Sequence, residues 1–132
     1  MSGNIAAFIS LRHLSVFMTG DDATATEQKP VQLADEAALD EFVSRDGPVL
    51  VEFYTDGCGI CQQVEPVLGV VARQTGTPVG TINPRDDPPL IGRFDVQSVP
   101  LFVLFVDGEP VDRRAEGFVG ADDLLSWIES HV

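Results

Sequence analysis

The tightest constraint on this chain is an apolar run at residues 49–54 (VLVEFY) that ends just short of Cys58-Gly59-Ile60-Cys61, after which helical periodicity begins. A run this continuous marks a strand covered on both faces. Val64, Val67, Leu68 and Val71 then repeat at i, i+3, i+4, i+7, so an amphipathic helix starts at or near Cys58 and carries Pro66, where a kink is expected. A strand that feeds a helix through this pair sets both thiols at a helix N-terminus. Unpaired N–H groups and a partial positive charge there lower a cysteine's pKa, and the thiolate is the nucleophilic form. Cys58 is therefore the expected attacking thiol. Two intervening residues put the second sulfur within disulfide reach, about 5.5 Å between Cα atoms, so Cys61 is expected to resolve a mixed disulfide and to be the more buried of the two.

Other readings of a CxxC compete with this one. The pair could be half of a zinc or iron–sulfur site, or two inert buried thiols. Zinc asks for four ligands, yet the chain has no second CxxC and no HxxxH, and His13 and His131 lie at its opposite ends. A dimer joining two CGIC motifs around a metal or cluster, or a domain whose groove only holds a partner, stays open as a binding-module alternative.

The rest of the chain supplies what the pair needs around it. Residues 31–33 read as a short edge strand, and Asp35 as the N-cap of a helix carrying Leu39, Phe42 and Val43. Residues 79–83 form a second strand candidate, followed by a Pro-rich acidic turn at 83–89 and a brief helix near 90–94. LFVLFV at 101–106 is the strongest strand signal. Asp107-Gly108 then turns the chain into a hairpin strand at 111–116, and a last helix at 121–129 places Leu124, Leu125 and Ile128 on one face. A parallel half joined to an antiparallel half implies a three-layer α/β/α sandwich around a mixed sheet of four to five strands, with about four helices. At 132 residues there is room for one such domain, assigned to 31–132, after an extension and linker at 1–30. Within that extension, IAAFISLRHLSVFM at 5–18 is interrupted by Arg12 and His13 and is shorter than the roughly 20 apolar residues of a membrane span. It reads as a short docked helix or a disordered leader, not a signal peptide.

Charge narrows the partners. With 21 acidic against 8 basic residues the net charge is −13, and Lys29 is the only lysine. A surface so acidic repels nucleic acid and anionic lipid, which excludes DNA- and RNA-binding classes. The carboxylates are dispersed and do not form one acidic tail. This lysine-poor surface resembles that of cytosolic proteins in salt-in halophiles, halophilic archaea included, where molar salt shortens the Debye length to about 3 Å. His13, His131, Trp127 and the pairs Asp86-Asp87 and Asp122-Asp123 are read as packing or solvated groups without a catalytic role.

Glu52 is an acid inside an otherwise apolar strand. Burying a carboxylate raises its pKa, the condition for a general acid or base near neutral pH, whereas a glutamate tilted to solvent at the strand end would be inert.

VLVEFYTDGCGICQQVEP at 49–66 resembles the active-site segment of the thioredoxin family, and Ser98-Val99-Pro100 before LFVLF resembles its cis-proline loop. The Asp107-Gly108 turn and Gly117 fall where that family places its C-terminal glycines. The resemblance covers about residues 31–132 and implies a thiol–disulfide oxidoreductase that reduces protein disulfides. It further implies a cis Pro100, a Val99 backbone that pairs with extended substrate, and a substrate surface that includes Gly57, Gly59 and Ile60. Glu52 takes the place of the family's buried aspartate, which assists proton transfer at the resolving thiol. No cofactor or metal is expected in the protein itself. Electrons would come from a thioredoxin reductase or similar donor to a monomeric cytoplasmic protein. Three departures alter this picture: Ile60 replaces the usual proline, Gly57 the usual tryptophan, and Thr81 a common lysine near the buried acid. Because the dipeptide between the cysteines tunes potential over about −270 to −120 mV among members of the fold, a more oxidising or isomerase-like member is the alternative enzyme.

Overall fold

The computed structural model describes residues 29–132, so the expected helix or leader at 5–18 and most of the linker lie outside the described residues. The elements run β1 (Val31–Leu33), α1 (Glu36–Val43), β2 (Pro48–Phe53), α2 (Gly59–Thr75), β3 (Val79–Ile82), a 3-10 turn (Pro84–Asp86), α3 (Pro89–Arg93), β4 (Leu101–Val106), β5 (Glu109–Arg114) and α4 (Ala121–Glu129). The strands form one sheet in the order β1-β3-β2-β4-β5, in which β1, β3 and β2 are parallel while β4 and β5 are antiparallel. The apolar run at β2 is thus the central strand, as its two-sided pattern requires.

Alternation along β2 and β4 divides the core. Val49, Val51 and Phe53 join Leu101, Val103 and Phe105 beneath Leu39, Val43, Leu90 and Phe94, the face covered by α1 and α3. Leu50, Phe102 and Leu104 face the other way, against Val64, Leu68 and Val71 of α2 and Leu124 and Ile128 of α4. Glu52 has the parity of Leu50 and so belongs to the α2 side. The helix α2 continues past Pro66 to Thr75, so the proline removes one backbone hydrogen bond without ending it.

Local caps match their residues. Asp35 Oδ1 accepts from Ala38 N at 2.9 Å at the start of α1. Asp87, read from sequence as a solvated charge, also serves this terminus, its Oδ2 accepting from Glu36 N at 2.9 Å across 51 residues of chain. The hairpin turn takes positive φ at both Asp107 (54°) and Gly108 (87°), the pair that a two-residue connection needs. Pairing resumes at once, Val106 opposite Glu109, so β5 spans Glu109–Arg114 and begins before the expected 111. Asp112 on β5 tethers the last helix, because its Oδ2 accepts from Trp127 Nε1 at 2.8 Å and lies 2.9 Å from His131 Nε2.

Gly80 is required by space. A Cβ built there would lie 2.9 Å from both Leu33 Cδ1 and Phe42 Cε2, where α1 rests on the sheet. Gly80→Ala is expected to cost roughly 1–2 kcal/mol, read as a lower urea midpoint at constant m. An unchanged midpoint would mean that Phe42 swings aside freely.

Charge also enters stability. The described ion pairs lie at the surface, Arg93 with Glu36 (2.8 Å) and Asp40 (2.9 Å), and Arg114 with Glu116 (2.6 Å), and eight basic residues leave most carboxylates uncompensated. Screening should relieve their repulsion, so Tm is expected to rise by several degrees between about 0.1 M and 2 M KCl. A Tm that falls over this range would contradict the reading of the surface as a salt adaptation.

Candidate active site

The site is built where β2 ends. Cys58 N donates to Thr55 O at 3.3 Å, closing a turn in which Gly57 takes φ +81°, a left-handed conformation that favours glycine. The absence of an aromatic side chain before the first cysteine therefore accompanies a backbone conformation that a tryptophan would adopt only with strain. Cys58 is itself the N-cap of α2, with φ −86° and ψ 105°, so the helix begins one residue later, at Gly59. Its sulfur accepts from Cys61 N at 3.1 Å. Such a bond stabilises negative charge on the Cys58 sulfur once the bond to its partner is opened.

Cys58 and Cys61 are joined as a disulfide, with Cα atoms 5.3 Å apart. The two sulfurs differ in access: Cys58 is half-buried and Cys61 only 4% exposed. Around them Gly57, Gly59 and Ile60 are exposed, with Ile60 offering an open apolar side chain in place of a proline ring. The Val99–Pro100 bond is cis, as the resemblance implied. Leu101 pairs with Phe53, which places the start of β4 at the same end of the sheet as the turn leading to Cys58. Register thus brings the proline loop and the cysteines to one edge of the molecule.

Glu52 is 1% exposed, which excludes the solvent-tilted alternative, and its Oε2 has no hydrogen-bond partner among the described residues. Burial first, and the negative charge of Glu65 second, together push its pKa up to about 8 from an ordinary 4.5. Its register partners are Thr81 on β3 and Phe102 on β4, neither charged. Nearby, burial and then the charges of Asp56, Asp86 and Glu52 raise the Tyr54 pKa, while a 2.6 Å hydrogen bond that its Oη accepts from Gln32 Nε2 opposes them.

Sequence reasoning missed Glu65. The only available signal was its position four residues after Cys61 on the same helix face, which a solvated helix residue shares.

The thioredoxin family model matches residues 30–130. The thioredoxin of Mycobacterium tuberculosis is 35% identical over 117 residues, covering 87% of this chain and 97% of that protein. A Y-type chloroplastic thioredoxin of Arabidopsis thaliana is 37% identical over 95 residues, 70% of this chain, and the chain spans about half (55%) of that relative's length. Among solved structures, a single-residue variant of the thioredoxin from Halobacterium salinarum NRC-1 superposes with a TM-score of 0.74 at 36% identity, covering 80% of this chain and 92% of that one. Sheet order, the position of the cysteine pair and these likenesses agree: the chain belongs to the thioredoxin family and is a thiol–disulfide oxidoreductase.

Proposed function

We propose that this protein reduces disulfides of client proteins through Cys58 and Cys61, and that a thioredoxin reductase or similar dithiol donor recharges it. The observation that carries the assignment of roles is the asymmetry of the pair: Cys58 is half-buried at the helix N-cap with the Cys61 N–H directed at its sulfur, and Cys61 is closed off behind it. In the reduced protein the Cys58 thiolate attacks one client sulfur, and the other leaves as a thiolate that takes a proton from solvent. Cys61 then gives its proton to the Glu52 carboxylate and attacks the Cys58 sulfur. The client–Cys58 bond breaks, the client sulfur leaves as a thiolate, and the protein is left with the Cys58–Cys61 disulfide seen here and with the proton on Glu52. Electrons pass from two thiols to the client disulfide, and no bound cofactor takes part.

Gly57, Gly59 and Ile60 form the apolar rim on which the client lies, and the Val99 backbone pairs with an extended client segment as an added strand does. Pro100 shapes that loop. The working unit is residues 31–132, with 1–30 as an extension. We place the protein in the cytoplasm as a monomer; among the described residues no helix is long and apolar enough to cross a membrane. Turnover of insulin disulfides with dithiothreitol at high salt tests the activity. A protein that forms the Cys58–Cys61 disulfide yet does not accelerate insulin reduction would overturn it.

A further inference from the structure

A cleft of about 290 Å3 opens on the α2 side of the sheet, lined by Pro30, Gln32, Thr81, Glu65 and Leu68. Its floor is fixed by register. Gln32 pairs with Thr81, Thr81 with Glu52 and Glu52 with Phe102, so these four residues form one row across β1, β3, β2 and β4 on a single face. Strands lie about 4.8 Å apart, which puts Glu52 one strand behind the cleft floor. The opposite wall is α2, where Cys61, Glu65 and Leu68 follow one another at i, i+4 and i+7. Cys61 and Leu68 are buried while Glu65 is exposed, so Glu65 stands at the mouth of the cleft, a turn beyond the resolving sulfur.

We infer that Glu65 is a positioning residue for the second thiol: standing over the cleft that adjoins Glu52, it holds the proton on the Glu52 carboxyl and so sets the pH at which the Cys58–Cys61 disulfide is reopened. This rests on the role proposed above for Glu52. When a dithiol donor recharges the protein, a donor thiolate attacks the Cys58 sulfur and a donor–Cys58 bond forms. The Cys58–Cys61 bond breaks, and the electron pair leaves on the Cys61 sulfur, which takes the Glu52 proton. The donor's second thiol gives its proton to solvent and displaces Cys58 as a thiolate, so the donor becomes a disulfide. Glu52 is left as the carboxylate that next accepts the Cys61 proton when a client is reduced. Only a protonated Glu52 can serve that leaving sulfur, so whatever stabilises the proton extends the reaction to higher pH.

Few other groups bear on that carboxyl. Gln32, Thr81 and Phe102 from the neighbouring strands are uncharged, and α4 presents Leu124 and Ile128 to this face. Tyr54, just past the end of β2, is held by Gln32, and Cys61 of α2 is bonded to the N-cap Cys58. Glu65, on the cleft wall, is left as the charge of α2 that acts on Glu52, and its sign disfavours ionisation there.

The test is the titration of the Glu52 carboxyl in the oxidised protein, followed by 13C NMR of labelled glutamates and assigned with Glu52→Gln, alongside the pH profile of re-reduction by dithiothreitol. Glu65→Gln is expected to move both downward by about half a pH unit and Glu65→Lys by about one, because the second change reverses the charge. An unmoved carboxyl titration in both variants overturns the inference while leaving Glu52's own role standing. A titration that moves without the rate profile overturns it too, and in that case the role of Glu52 as proton donor fails with it.

Discussion

Insulin reduction is expected to stop in both Cys58→Ser and Cys61→Ser proteins, and only the second should accumulate a covalent adduct with its client. Without the Cys58 sulfur no nucleophile reaches the client, since Cys61 is 4% exposed. A loss of at least about 1,000-fold is expected, equal to roughly 4 kcal/mol of barrier at 1.36 kcal/mol per tenfold. In Cys61→Ser the first exchange proceeds, because Cys58 keeps its place at the helix N-cap and the Cys61 N–H that reaches its sulfur at 3.1 Å belongs to the backbone. The second exchange has no thiol to perform it. Mass spectrometry under non-reducing conditions should then find a mixed disulfide at Cys58 in that variant alone. Trapping to the same extent in both variants would reverse or abolish the roles given to the two sulfurs.

The second large effect concerns Glu52 and pH. Its pKa in the folded protein is about 8 against an ordinary 4.5, chiefly because burial penalises the charged form, with the Glu65 charge adding to it. Between those values the folded chain holds a proton that the unfolded chain has released. Stability therefore falls as pH rises through that window and levels off above about 8, the reverse of a salt-bridged carboxylate. Titration of this one group is worth a few kcal/mol across the window. Replacement by an apolar residue of similar size removes both the charge and the unpaired Oε2. Glu52→Leu is thus expected to be more stable than the parent by roughly 2–4 kcal/mol at pH 9, with a much smaller gain at pH 4.5. Urea unfolding of the oxidised proteins at the two pH values reads this directly, because the disulfide cysteines do not titrate. A Glu52→Leu protein with the same pH slope as the parent would show that other groups set it. The same variant is expected to be re-reduced about 100-fold more slowly, since the Cys61 sulfur would leave without a nearby proton. Greater stability at the expense of turnover is what a buried acid kept for chemistry implies.

Most of the scaffold was legible along the chain because its signals are short-ranged. The two-sided apolar pattern of β2, the helical spacing after Cys58, the Asp35 cap and the positive-φ pair at Asp107 and Gly108 each depend on residues a few positions apart. The start of β5 is not a short-range feature. Its turn is legible in Asp107-Gly108, but where the strand begins depends on cross-strand pairing with β4, and that register shifts between Leu104 and Phe105. The capping role of Asp87 is not legible locally because its partner, the N-terminus of α1, is remote in sequence.

By itself the sequence determined the strand–cysteine–helix unit, because thiolate stabilisation at a helix N-terminus needs only adjacent residues and backbone geometry. It also placed an acid in the central strand. Only the tertiary structure decided what that acid can do. The packing of α2 and α4 over the sheet excludes water from Glu52, the row of neutral neighbours on β1, β3 and β4 leaves it without a counter-charge, and the fold sets Glu65 over the cleft beside it. Charge and desolvation act through space, so their balance at one carboxyl is fixed by whichever segments the fold brings against it.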